Sequence, residues 1–252
     1  MTPVNAVVAP EACSGDPAQS ASACTNCNLR GLCLPIGLAP EEMDRLDPLV
    51  AARRAVRRGD RLFRRGDKFA SIYAVRNGFF KTTISSEDGR DQVTGFQTTG
   101  ELLGLDGIGE WSHRCDAVAL EDSVVCVIPF DRLEDTAHAF PVLQREFHRA
   151  MSREIVRDHG VMLLLAGMNA EERVATFLLN LSDRLGARGF SSLSFILRMS
   201  RAEIGAYLGL KLETVSRTFS KLHDDGVLEV RQRDVHIVDP AALRRLVSGE
   251  TA

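Results

Sequence analysis

The sequence predicts an α+β protein, with a small barrel or jelly roll followed by one long helix and then by short helices that carry a two-stranded hairpin. Three observations support this. Short β-prone runs between glycine turns recur from about Ala51 to Phe130. Apolar residues recur at helical spacing from Pro141 to about Met168. Beyond Asn169 the helical patterns shorten and give way to two alternating runs. At 252 residues the chain suits one large domain or two small ones. Its 44% hydrophobic and 26% charged content excludes a wholly disordered chain, a collagen-like chain and a small disulfide scaffold. A formal charge of −3 excludes a uniformly basic polymer binder, so any nucleic-acid site must be a local patch.

In chain order, residues 1–20 lack periodic apolar positions and are expected to be a mobile tail. Residues 21–38 hold three cysteines with Gly31, Pro35 and Gly37, which reads as a loop. Strands are expected at Ala55–Arg57, Ser71–Val75, Phe79–Ile84, Gln92–Phe96 and Val124–Ile128. Turn signals between them include Arg58-Gly-Asp60, Arg65-Gly-Asp67 and Asp88-Gly89, and Asn77-Gly78 is the strongest hairpin signal.

On the long helix, Met151, Ile155, Met162 and Leu165 follow a 3-4 heptad ladder whose missing step is Asp158. Such a ladder makes a coiled-coil seam, or else packs on the protein's own barrel. Ala170–Leu185 carries an apolar stripe of Val174, Phe177, Leu178 and Leu181. Arg201–Leu208 and Leu212–His223 read as two short helices joined by Gly209-Leu210-Lys211, followed by a hairpin at Val227–Val230 and Val235–Val238. Asp239-Pro240 opens a last helix, with Asp as cap and Pro at the first helical position.

No apolar run approaches the ~20 residues of a membrane helix, and the first basic residue is Arg30, so no charged leader is expected. A cytoplasmic location with no membrane partner follows as an expectation, and there thiols stay reduced. The cysteines at 13, 24, 27, 33, 115 and 126 are then better read as ligands or redox sensors than as disulfides. Cys24-x2-Cys27-x5-Cys33 lets several soft donors converge, which suits an iron–sulfur cluster ahead of zinc. Cys126, in a β-prone run, and Cys115 are the candidates for a fourth ligand.

Arg201–His223 fits a helix-turn-helix. Gly209 permits the turn, and Leu212, Val215, Phe219 and Leu222 are expected to point inward. Opposite them Glu213, Ser216 and Arg217 share one face near the helix N-terminus. That face suits the DNA major groove, where Arg bonds guanine and Glu accepts from cytosine N4. Lys211, Lys221, Arg231 and Arg233 are candidates for phosphate contacts.

Taken together, Cys-Thr-Asn-Cys-Asn-Leu-Arg-Gly-Leu-Cys at 24–33, Cys126 before Ile-Pro-Phe, Asn-Ala-Glu-Glu-Arg at 169–173 and Glu-Thr-Val-Ser-Arg at 213–217 resemble the FNR branch of the cyclic-AMP receptor/FNR family of bacterial transcription regulators. The resemblance implies a β-roll sensor domain (39–135), a long dimerisation helix (136–168) and a winged helix-turn-helix domain (169–252), with 21–38 as the cluster-binding loop. It implies a [4Fe-4S] cluster on Cys24, Cys27, Cys33 and Cys126, with Asn28 and Leu32 placed to tune it. It also implies base reading by Glu213, Ser216 and Arg217 on two-fold TTGAT-like sites. The expected partners are double-stranded DNA, a second copy of the chain and RNA polymerase, the last through the Ser85–Asp91 loop.

The implied function is oxygen-responsive regulation of anaerobic metabolism, with dimerisation through Met151, Ile155, Asp158, Met162 and Leu165. Paired Asp158 carboxylates would oppose the seam until an intact cluster favours it. Two alternatives stand beside this reading. One is a cyclic-nucleotide sensor of the same fold, for which Gly100-Glu101 is present but Asp116 is ill placed. The other is a small iron–sulfur redox protein, although the chain shows no Gly-rich phosphate loop and no nucleophile–base pair. No enzyme activity is expected.

Overall fold

The structure, a computed structural model, describes residues 24, 27, 29, 33, 47–85 and 91–248. The expected tail 1–20 with Cys13, the positions Asn28 and Leu32, and the 86–90 stretch of the polymerase loop lie outside the described residues.

The fold is α+β. The first part contains strands β1 (Ala52–Val56), β2 (Arg61–Phe63), β3 (Ser71–Asn77), β4 (Phe79–Ser85), β5 (Asp91–Thr98), β6 (Leu102–Leu103), β7 (Asp116–Ala119) and β8 (Ser123–Pro129). They form two four-stranded antiparallel sheets, β1-β8-β3-β6 and β2-β7-β4-β5. Val75 and Val125 of the first sheet meet Phe80 and Ala117 of the second in one core. The glycine-punctuated runs thus make the expected jelly-roll-like β-roll.

Asn77-Gly78 corrects one expectation. β3 pairs with β8 and β6, whereas β4 pairs with β5 and β7, so the dipeptide is a corner between sheets and closes no hairpin. Gly78 has φ 109°, and a Cβ there would stand 2.8 Å from Ser123 Cα. Local turn chemistry supplies the reversal, but sheet packing decides which strand the next run joins. Strands β2, β6 and β7 are two to four residues long, too short for a legible alternation.

A helix, α1 (Phe130–Ala139), was also not expected, and residue 135 falls inside it. It buries Phe130, Leu133 and Ala137 against the first sheet. Pro141, at the first helical position, starts α2 (Pro141–Gly167) after an extended Phe140. The N-terminal half of α2 buries Leu143 and Phe147 on the same core as Ile72 and Ile128.

The second part holds α3 (Ala170–Gly186), β9 (Ser194–Ile196), α4 (Arg201–Leu208), α5 (Leu212–Asp224), β10 (Leu228–Arg231), β11 (Asp234–Ile237) and α6 (Pro240–Ser248). The hairpin β10–β11 takes β9 as a third strand, in the order β10-β11-β9. Phe96 of β5 packs on Phe177 and Tyr207 at centroid distances of 6.1 and 5.2 Å, so this core runs on into the β-roll. No helix among the described residues is long and apolar enough to cross a membrane.

Candidate nucleic-acid interface and thiol site

The helix-turn-helix is built from local instructions. Ser200 caps α4 in a capping box with Glu203, and Asn169 caps α3 in another with Glu172. Gly209 ends α4 in the left-handed conformation, φ 64°. A Cβ at Gly209 would also stand 3.1 Å from Leu165 Cδ2, so glycine is favoured by space as well as by backbone.

Sequence reasoning noticed the Asn-Ala-Glu-Glu-Arg motif without finding the role of its arginine. Arg173 donates to the carbonyls of Met168, Leu208 and Leu165 at 2.8, 2.9 and 3.1 Å. These are orphan carbonyls near the ends of α2 and α4, where a cation is favoured. Arg173 therefore clasps α2, α3 and α4 together. Arg201 was missed too. Its guanidinium lies 3.3 Å over the Phe219 ring, holding α4 against α5. Burial lowers its pKa to about 10.

On α5, Val215, Phe219 and Leu222 are buried as expected. Leu212 is not: it is 46% exposed, because at the first turn of α5 the apolar stripe has not yet rotated onto the core. Glu213, Ser216 and Arg217 are all exposed on the outer face. Lys211, Arg231 and Arg233 are exposed nearby, while Lys221 is paired with Glu171 at 2.5 Å. The arrangement presents hydrogen-bonding side chains on a rigid, convex helix edge flanked by cations, which is what groove reading needs.

The thiols gather on the face of the first sheet turned away from the second. Cys126 sits mid-strand in β8, opposite Arg53 of β1 and Ala74 of β3. Arg76 Nη1 donates to Cys27 Sγ at 3.6 Å, and the Cys24 amide donates to Asp47 Oδ1 at 2.5 Å. Burial pushes the Cys24 thiol up to about 11, aided by Asp47, Cys126 and Cys27. Burial raises Cys126 as well, with Arg76 and Arg53 pulling it down. Cys33 and Cys126 both pack on the core that contains Phe147 and Met151.

Among the described residues no group of three or more His, Cys, Asp or Glu is close enough to hold a metal ion. The donor set nevertheless suits a thiolate-bound iron–sulfur group, because Arg53 and Arg76 supply positive charge beside soft donors. Cys115 lies elsewhere. It is buried in the inter-sheet core, its Sγ donates to Asp106 Oδ2 at 3.4 Å, and burial pushes its thiol far up.

On α2, Ile155 (55%), Met162 (64%) and Leu165 (37%) are exposed, with Val156 and Leu163 beside them. Asp158 is exposed within this stripe, and its pKa is raised by burial against the pull of Arg157 and His159. Met151 instead turns partly onto the protein's own core.

Between β5, β6 and α2 lies a cavity of about 690 Å³. Asp106, Glu154 and Asp158 line it, and Arg114, the one arginine among its described lining residues, is paired with Glu110 at 2.7 Å. Glu154 is itself paired with Arg157 at 3.0 Å and Asp106 contacts His113, so the described lining offers a cyclic phosphate no unpaired cation. Asp116, the residue expected to disfavour a nucleotide, is instead held by Arg61 at 2.8 Å.

The Crp-like helix-turn-helix domain family matches residues 172–246, and the cyclic nucleotide-binding domain family matches residues 53–139. The transcriptional activator protein Anr of Pseudomonas protegens is 49% identical over 226 residues, spanning 90% of this chain and 93% of that protein. The fumarate and nitrate reduction regulatory protein of Escherichia coli is 42% identical over 223 residues, 88% and 89% of the two chains. The solved structure of FixK2 from Bradyrhizobium japonicum superposes with a TM-score of 0.73 at 33% identity, covering 81% of this chain and 99% of that one.

Proposed function

The chain belongs to the FNR branch of the cyclic-AMP receptor/FNR family of DNA-binding transcription regulators, and from that premise we propose that it is an oxygen-responsive dimer gated by a [4Fe-4S] cluster. Cys24, Cys27, Cys33 and Cys126 would hold the cluster, with Arg53 and Arg76 offsetting its negative charge. When bound, such a group supplies an oxygen-labile cross-link among these four sulfurs.

The observation that carries this reading is the shared core. Cys33 and Cys126 pack against the same hydrophobic cluster as Phe147, Ala150 and Met151 of α2, so a group bound by these thiols would be linked to the dimer helix through a shared core. Farther along α2, Ile155, Met162 and Leu165 form an apolar stripe for a second copy, interrupted by Asp158. Two such carboxylates brought close repel, by on the order of 1 kcal/mol at an exposed, solvent-screened position, which opposes a short seam. A dimer places two copies of α5 on a two-fold TTGAT-like site, where Glu213, Ser216 and Arg217 read base edges. Contact with RNA polymerase through the 85–91 loop belongs to the same reading.

The test is a gel shift on a duplex carrying two TTGAT half-sites, first under argon and then in air. Binding that is lost in air supports the proposal; equal binding under both gases contradicts it. The acidic cavity disfavours the cyclic-nucleotide alternative, and added cyclic nucleotide should leave the shift unchanged.

A further inference from the structure

Glu101 joins three parts of the chain by charge. It ends the turn after β5 and is 9% exposed. Arg184 of α3 grips it in two places, Nε to Oε1 at 3.0 Å and Nη2 to Oε2 at 2.5 Å. Arg188, just past α3, donates to Oε1 at 2.7 Å, and Arg157 of α2 donates to the same oxygen at 3.2 Å. The Thr98 amide donates to Oε2 at 2.9 Å. Arg184 and Arg188 also bond the carbonyls of Phe96 and Thr99. Beside this knot, Lys81 of β4 pairs with Glu203 of α4 at 2.7 Å.

A carboxylate offers about four lone-pair sites, and these contacts use all of its capacity. Glu101 has nothing left for a ligand. Its role is internal: without it, three half-buried guanidinium groups would face one another and repel. We infer that Glu101 is a positioning residue for DNA recognition, a latch that fixes the helix-turn-helix unit to its own β-roll and long helix.

This rests on the proposed reading of DNA by a dimer. Two half-sites one helical turn apart require two α5 helices at a set separation. A unit on a loose tether meets its second half-site at lower effective concentration. The face of Glu213, Ser216 and Arg217 belongs to α5 and is untouched by a change at Glu101.

The experiment uses full-length, anaerobically prepared protein at one fixed salt concentration, with duplexes carrying either two half-sites or one. Glu101→Gln should bind the two-site duplex at least tenfold more weakly, change less than twofold on the one-site duplex, and show faster hydrogen exchange at Thr98 and in α3. If Glu101→Gln does not fold, Arg188→Gln removes one strand of the latch and should show the same pattern with a smaller loss. Equal losses on both duplexes, or no loss, overturn the positioning role. Unchanged exchange overturns the latch whatever the DNA result. Wild-type protein that binds neither duplex overturns the DNA reading itself, and the exchange experiment still judges the latch.

Discussion

The helix-turn-helix unit and the thiol site differ in the kind of contact that defines them. The first is over-determined: two capping boxes, an Asp239 cap on α6, the Arg173 clasp and the Arg201–Phe219 stack each fix a boundary. At the second, Asp47 accepts from the Cys24 amide and Arg76 donates to Cys27. A surface that reads sequence must be preorganised, because every degree of freedom left to it is lost on binding. A group bound by the thiols would instead add stability in proportion to its own affinity.

The largest effect should come from the rigid side. Arg173→Ala leaves three helix-end carbonyls without their donor, and thermal unfolding should show a loss of about 2–4 kcal/mol. In iron-free protein Cys24→Ala should cost less than about 1 kcal/mol; comparable losses in the two variants would erase the contrast. Next, Arg217→Ala should weaken operator binding by about 1–3 kcal/mol and relax preference at one base pair. An even loss over all sequences would make Arg217 a phosphate contact instead.

The smallest effect concerns the seam. Asp158→Ala should tighten the iron-free dimer by about 1 kcal/mol, an exposed-pair magnitude, as measured by sedimentation. The sign of the pH effect follows from the raised pKa of this carboxyl, which burial sets against Arg157 and His159, with Glu154 and Tyr207 in the same field. Protonation removes the repulsion, so wild-type association should strengthen as pH falls from neutral into the carboxyl range, and this response should be reduced in Asp158→Ala.

Much of this was legible in sequence where the instruction is local. α4 begins and ends as expected because Ser200, Glu203 and Gly209 are its caps, and α2 starts at Pro141 for the same reason. What escaped was set by distant parts of the chain. Asn77-Gly78 reads as a hairpin locally and becomes a corner only because two sheets stack. Leu212 fits an inward stripe by spacing but stands at a helix start the core does not reach. Arg173 and Glu101 act through partners 35 and 83–87 residues away, which no periodicity reveals. The four matched thiols were named from the motif; the guanidinium groups of Arg53 and Arg76 beside them emerged only once β1 and β3 were placed flanking β8.

The central claim is that four sulfurs, one of them on β8, hold the group that gates the dimer. Iron and acid-labile sulfide should therefore be measured in anaerobically prepared wild type, Cys126→Ala and Cys115→Ala. The account predicts about four of each per chain in wild type and in Cys115→Ala, and loss of both from Cys126→Ala. Full iron and sulfide in Cys126→Ala, or none in wild-type protein that still binds its two-site duplex, would contradict it.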